Sequence, residues 1–330
     1  MTDRRFHSGP AAPSPNMPEL PVLGRTRIPT TLRGVVASIM TMAFSLLLAF
    51  SAPALATDKA YTVTAPDGVS IAVQEAGDPS GPAIVFIHGL LGSRLNWALQ
   101  TSSPELQRYR LITYDMRGHG LSGKPEEAQS YKDGRRWADD LSTVLKASGV
   151  RDPVLVGWSL GGVVLSNYLA AYGDAGLAGM VYVDGVIELN GTLITPHPEV
   201  YAGMASNDLT QHLDAVRSFL ALCFAKQPDT AIFERLLSNA AMASWTMTRI
   251  TPSMTVSAAE GLPRAKVPIL LLYGGRDALV MVEPSIARAR ALNPAIQTMI
   301  YPNSGHAPFL EEAARFNRDL ARFRDDHHGQ

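Results

Sequence analysis

Apolar residues fall in short unbroken runs along most of this chain. Ala83–Ile87, Leu111–Tyr114, Val154–Val156, Met180–Val183, Ile269–Leu272 and Thr298–Tyr301 are each of strand length and apolar at consecutive positions. That pattern suits parallel strands covered on both faces by helices. Tyr61–Thr64 and Val69–Ala76 flank a Pro66-Asp67-Gly68 turn and predict an antiparallel entry to the sheet. Between the runs lie helical patterns. Trp137, Leu141, Val144 and Leu145 recur at i, i+4, i+7 and i+8, and Ile286–Leu292 and Glu311–Phe323 are similar. Strand and helix alternate as in an open α/β sheet with its sites at the strand C-termini. The alternation breaks between Ile187 and Pro263. This stretch is too long for a loop and has helical periodicity over Leu209–Cys223, Ala231–Met242 and Thr251–Ala259.

Composition narrows the class without naming a chemistry. The chain has 330 residues, 46% hydrophobic and 18% charged, enough for one large α/β domain. A net charge of −1 provides no basic field for nucleic acid. Cys223 is the only cysteine, so no intrachain disulfide and no zinc or redox motif is expected, only a free buried thiol. Residues 1–56 differ from the rest. Arg25, Arg27 and Arg33 precede an uncharged stretch from Gly34 to Phe50, followed by Ser51-Ala52-Pro53-Ala54-Leu55-Ala56. A basic segment, an apolar segment and an Ala-x-Ala-type site predict a bacterial-type export signal cleaved after Ala56, for a periplasmic or secreted protein. The apolar stretch is shorter than the ~20 residues of a spanning helix, so membrane contact is expected only through an uncleaved signal. Translation starts at Met1 or at Met17. Without residues 1–56 the chain carries 24 basic and 28 acidic residues, a net of −4.

Four loops that directly follow apolar runs carry the candidate chemistry. Gly157-Trp158-Ser159-Leu160-Gly161 lies between Pro153-Val154-Leu155-Val156 and a helical stretch, Val163–Leu169. A strand, a Gly-x-Ser-x-Gly turn and a helix form a nucleophile elbow, in which the serine sits on a sharp turn and its hydroxyl projects above the sheet. Gly157 and Gly161 let strand and helix backbones pass closely. The Leu160 amide would lie at a helix N-terminus, where a negative oxygen is favoured. A serine hydroxyl needs a neighbouring base, and the acid and the histidine of such sites follow in chain order. Gly274-Gly275-Arg276-Asp277 offers Asp277 as the acid, and Pro302-Asn303-Ser304-Gly305-His306 offers His306 as the base. Asp184, which ends the preceding strand, is the rival acid. His88-Gly89-Leu90-Leu91-Gly92 follows Ala83–Ile87 and offers the Leu90 amide as the second oxyanion donor, with His88 and Gly89 shaping the loop.

With Asp115-Met116-Arg117-Gly118-His119-Gly120-Leu121-Ser122, these motifs stand in an order that resembles the α/β-hydrolase superfamily, over about Tyr61 to the C-terminal helix. The resemblance is greatest to its serine esterase and haloperoxidase-like branch. It implies a mostly parallel sheet flanked by helices, divided into core residues 57–186, an inserted helical cap at 187–263, and core residues 264–330. It implies a cofactor-free, metal-free Ser159–His306–Asp277 triad, with oxyanion donors at Leu90 and Leu160, that cleaves a small acyl ester through an acyl-enzyme. The quaternary state expected is a monomer or homodimer. A serine at 159 sets the chain apart from the epoxide-hydrolase and dehalogenase members, which carry aspartate there. Trp158, Trp97 and Trp245 are candidate pocket residues. Met204, Met242, Met247, Met254, Phe219 and Phe224 are either further pocket wall or core between cap helices. Asp115, Arg117 and His119 are expected to fix the loop after their strand. The same triad serves lactone, thioester and amide hydrolysis, C–C bond cleavage and cofactor-free perhydrolysis (haloperoxidase activity), and the motifs do not choose among them. A non-enzymatic binding protein is disfavoured, because no triad member is missing.

Overall fold

The computed structural model describes residues 59–327, so the predicted export signal, its cleavage site and the alternative start lie outside the described residues. Eight strands form one sheet in the order β1-β2-β4-β3-β5-β6-β7-β8. They are β1 Lys59–Thr64, β2 Ser70–Gly77, β3 Ala83–Ile87, β4 Arg110–Tyr114, β5 Val154–Trp158, β6 Gly179–Val183, β7 Ile269–Gly274 and β8 Gln297–Tyr301. β1 and β2 pair antiparallel, as does β2 with β4, and every other pairing is parallel. β3, β5, β6 and β7 are buried at every position, which is why their sequences read as continuous apolar runs. β8 is an edge strand, partly exposed along most of its length.

Helices α1 (Gly134–Ser148) and α2 (Leu160–Tyr172) pack against each other beside the sheet. Asp133 caps α1 by accepting from the Arg135 amide, and Gly149 ends it with φ 63°, the left-handed turn that glycine adopts at least cost. After β6 the chain forms α3 (Pro198–Met204), α4 (Leu209–Leu222), α5 (Thr230–Ala240) and α6 (Trp245–Ile250), then returns to β7. Helices α7 (Val282–Leu292) and α8 (Ala313–Asp326) complete the core. The inserted stretch is thus helical, but α3 and α6 lie where periodicity gave no sign, since helices of two turns carry too few apolar repeats. Thr251–Ala259 is not one helix. The chain turns extended at Met254 (ψ 140°), leaving a turn of 3₁₀-helix at Thr251–Ser253 and a short helix at Ala258–Gly261. The predicted helix over Glu311–Phe323 breaks at Glu312 into Pro308–Glu311 and α8.

Two of the attachments between the inserted helices and the core stand beside candidate site residues. Ile194 bridges Val280, with the Thr195 amide donating to Leu279 O at 2.9 Å and the Met281 amide to Leu193 O at 2.8 Å. Glu311 accepts from the Lys226 amide at 3.0 Å and from the Gly305 amide at 2.7 Å. Both attachments fall on the loops that carry Asp277 and His306.

Candidate active site

Ser159 stands between β5 and α2 with φ 52° and ψ −115°, a strained conformation for a residue with a side chain. Backbone bonds hold it there: its amide donates to Val183 O at 3.0 Å, and its carbonyl accepts from Gly162 at 2.8 Å and Val186 at 3.0 Å. The two elbow glycines are required by space. A Cβ at Gly157 would stand 2.6 Å from Gly161 O, and one at Gly161 2.6 Å from Ile87 O. Both clashes are with backbone, so neither can be relieved by a rotamer change.

His306 lies at the end of the loop after β8. Its Nδ1 is 2.7 Å from Asp277 Oδ2, and both side chains are buried. Asp277 Oδ1 accepts from the Leu279 amide at 2.7 Å and the Val280 amide at 3.0 Å, so three donors converge on this carboxylate. His306 Nε2 is buried without a partner, and His306 and Ser159 line the same cavity. Trp158 ties the two loops together, its indole Nε1 donating to His306 O at 2.7 Å.

The His88–Gly92 loop is set by two histidines. His88 Nε2 accepts from the Met116 amide at 2.9 Å, so the ring proton is on Nδ1 and donates to Gly89 O at 2.8 Å. In a planar trans peptide the N–H points opposite to the C=O. Pinning Gly89 O therefore aims the Leu90 N–H the other way. Gly89 itself abuts the serine, since a Cβ there would lie 3.0 Å from Ser159 Cβ. His119 Nε2 accepts from the Leu91 amide at 3.3 Å, and its Nδ1 lies 3.0 Å from Arg117 O. Neither the Leu90 nor the Leu160 amide meets a turn or loop carbonyl among the described residues. Both residues line the cavity that Ser159 lines.

The Asp115–Ser122 segment is scaffold. Asp115 accepts from the Arg94 amide at 2.8 Å and the Leu121 amide at 2.8 Å, and pairs with the Arg94 guanidinium. Arg117 is fully buried in a two-pronged pair with Asp140, both contacts 2.7 Å, and also meets Asp67 at 2.8 Å. His119 reaches farther than its own loop, because it holds Leu91 in the His88–Gly92 loop. No pattern in the sequence signals that contact, which joins residues 28 apart.

A sequence profile of the family described as alpha/beta hydrolase matches residues 84–319. The chain belongs to the alpha/beta hydrolase family. A crystal structure provisionally described as an aryl esterase from Burkholderia cenocepacia is 66% identical, covers 80% of this hydrolase and 97% of its own chain, and superposes with a TM-score of 0.80. The esterase RhEst1 from Rhodococcus sp. ECU1013 is 29% identical over 81% of this chain and 99% of its own, with a TM-score of 0.73. Among curated proteins, a bifunctional esterase/perhydrolase from Acinetobacter calcoaceticus is 27% identical over 79% of this chain and 98% of its own length.

The hydrolase's cavity, about 410 Å³, opens above Ser159. Leu160, Val186, Leu279 and Val280 of the core face Ile194, Tyr201, Met204 and Phe219 of the inserted stretch across it. The three tryptophans lie elsewhere. Trp97 is fully buried in the core, its ring 4.9 Å from Phe86 and 4.4 Å from Phe309. Trp245 stacks 4.0 Å from His212 within the inserted helices. Trp158 packs 5.0 Å from Phe309 and spends its indole N–H on the histidine loop. None of the three lines the cavity: Trp97 and Trp158 pack between sheet and helices, and the half-buried Trp245 packs among the inserted helices. Of the candidate cap residues, Met204 and Phe219 line the cavity, Met247, Met254 and Phe224 are core, and Met242 is exposed. Tyr201, Thr248 and Thr251 also line the cavity and were not distinguishable in the sequence. Cys223 is buried and free, and burial pushes its thiol up.

Among the described residues, Asp184, Asp277 and His306 are the one group whose ligand atoms crowd closely enough for a metal ion, within 4.8 Å of one another. The Nδ1–Oδ2 hydrogen bond already engages two of these atoms, so the cluster reads as an acid–base assembly.

Burial pushes the His88 imidazole down to about 4, and holds His119 well below its usual value. Unfolded, an imidazole takes up a proton below about pH 6.5. Between that value and pH 4 the unfolded chain binds more protons, so stability is complete above the window and is lost as pH falls through it. At about pH 5, His88 alone should cost about 2 kcal/mol relative to neutral pH. Urea unfolding at about pH 7.5 and about pH 5 measures this. In His88→Gln the difference between the two should shrink by about that amount, and an unchanged difference sinks the assignment.

Proposed function

We propose that this ester-bond hydrolase acts through a Ser159–His306–Asp277 triad and an acyl-enzyme. The observation that carries the reading is convergence: a strained serine, a buried histidine Nε2 and the oxyanion-loop residues Leu90 and Leu160 meet at one apolar cavity. His306 Nε2 takes the Ser159 proton as Oγ attacks the ester carbonyl carbon. The Leu90 and Leu160 amides hold the resulting oxyanion, each contributing about 10²–10³ in rate. The alcohol leaves with the proton from His306. Water, deprotonated by the same nitrogen, then adds to the acyl carbon, and the acid departs as Ser159 regains its proton. Asp277 holds the imidazole with its proton on Nδ1 throughout.

The cavity's size and apolar walls support a small to medium, fairly apolar acyl or aryl ester as substrate, in keeping with the aryl esterase description of the 66%-identical structure. The Acinetobacter relative supports a second reading, perhydrolysis, in which hydrogen peroxide replaces water at the acyl-enzyme and the product is a peroxyacid. Export rests on the pattern of residues 25–56 alone.

A fluorophosphonate probe tests the reading. Purified protein should be labelled at Ser159, as mapped by mass spectrometry, and Ser159→Ala should not be labelled. A folded, monodisperse sample left unlabelled would sink the triad as the working site.

A further inference from the structure

Asp184 is a fully buried carboxyl group that the reaction above does not use. It ends β6 with φ 44°, its amide donating to Leu272 O at 2.8 Å. Its side chain reaches across to β7, where Oδ1 accepts from the Gly274 amide at 2.7 Å. Gly274 begins the turn that carries Asp277. Oδ2 is buried and meets no donor. The nearest acid–base groups are Asp277 and His306, with one ligand atom of each of the three within 4.8 Å of the others.

A buried carboxylate with one oxygen unserved is unfavourable, and two neighbouring buried carboxylates cannot both stay charged. One proton must be shared between Asp184 and Asp277, and the donors decide where it sits. Asp277 receives two amides and the His306 Nδ1–H, all favouring its charged form. Asp184 receives one amide. The proton therefore belongs on Asp184, and as an acid its otherwise idle Oδ2 becomes the donor that faces Asp277. Other groups facing Asp184 agree. Glu311 follows the His306 loop and opposes a negative charge, Cys223 ends the helix α4, and the Tyr273 hydroxyl is occupied in donating to Gly185 O at 2.5 Å. Burial first, and then the Asp277 charge, hold the Asp184 carboxyl well above the usual carboxylate range.

We propose that Asp184 is a neutral carboxylic acid that donates a hydrogen bond to Asp277, a positioning residue that aims the Asp277 carboxylate at His306 and keeps the acid pair at one negative charge. The proposal rests on the triad reading. It makes Asp184 a partner of Asp277, where the sequence offered it as a rival. A single charge matters because a second one beside the imidazole would make it a stronger base and a poorer donor to the leaving alcohol.

The test compares Asp184→Asn and Asp184→Ala with wild type, reading kcat, KM and the pH dependence of kcat/KM for p-nitrophenyl acetate. Asparagine keeps an N–H donor and carries no charge. Its kcat should stay within about threefold of wild type, and the acid limb of its pH profile should move by less than about 0.3 unit. Alanine removes the donor, and kcat should fall about 10²-fold with KM unchanged. An acid limb lowered by about one unit or more in Asp184→Asn means that Asp184 was charged and overturns the proposal. So does a wild-type kcat in Asp184→Ala. Infrared spectra of wild-type protein give a measurement independent of variant folding. A carboxylic-acid carbonyl band that persists from about pH 6 to about pH 9 is expected, and its absence overturns the proposal. Fluorophosphonate labelling of wild-type Ser159 separates the two failures. Labelled wild type with a shifted acid limb sinks the proposal alone, whereas unlabelled wild type sinks the triad reading and the proposal with it.

Discussion

Ser159→Ala should lower kcat/KM for p-nitrophenyl acetate by at least about 10⁴-fold, with the melting temperature nearly unchanged. The hydroxyl is the proposed nucleophile, and no other hydroxyl lines the cavity beside His306 Nε2 among the described residues except those of Thr195, Tyr201, Thr248 and Thr251. Those four come from the inserted stretch, outside the elbow. The turn itself does not need the hydroxyl. Its bonds to Val183, Gly162 and Val186 are all made by the main chain, and alanine meets the same cost at φ 52°. The oxyanion amides survive the substitution, so a residual rate above that of water should remain. Steady-state kinetics with a parallel thermal melt measure both effects. A variant within tenfold of wild type would remove Ser159 from the mechanism.

Asp277→Asn should cost about 10³–10⁴ in kcat with little change in KM. The Asn Oδ1 can still accept from the Leu279 and Val280 amides, so the turn should hold. Its amide nitrogen would then face His306 Nδ1, a donor set against a donor, unless the imidazole adopts the tautomer with its proton on Nε2. That tautomer cannot accept the serine proton. Adding His306→Ala to Asp277→Asn should cost little more, because residues acting as one unit are not additive. The same variant decides between the two acids: were Asp184 the working carboxylate, Asp277→Asn would retain most of its activity.

What could be read in advance follows from how strands end. β3, β5, β6 and β7 are buried on both faces, so they are written as unbroken apolar runs that end abruptly at polar or glycine residues. Ser159, Asp277 and the Leu90 loop follow such endings, and His306 follows the partly exposed edge strand β8, so each stands where a strand gives way to a polar or glycine-rich turn. The elbow glycines were legible for the same local reason, since a Cβ at Gly157 or Gly161 would stand 2.6 Å from a backbone oxygen. The two-turn helices α3 and α6 were not legible, since too few apolar repeats fit into them.

Local patterning thus determined the order of strands and helices, the sharp turn at Ser159 and the small set of polar residues at strand ends. Tertiary structure alone decided what those residues touch. Trp97, Trp158 and Trp245 have the composition of pocket walls, yet packing sends Trp97 and Trp158 into the interior and stacks the half-buried Trp245 on His212, and the cavity is lined instead by Ile194, Tyr201, Met204 and Phe219. The pairing of His119 with Leu91, and the crowding of Asp184 against Asp277, join loops that are far apart along the chain. Burial and hydrogen-bond direction are properties of such long-range contacts. A polar residue shows in a sequence, but its protonation state depends on which donors fold around it.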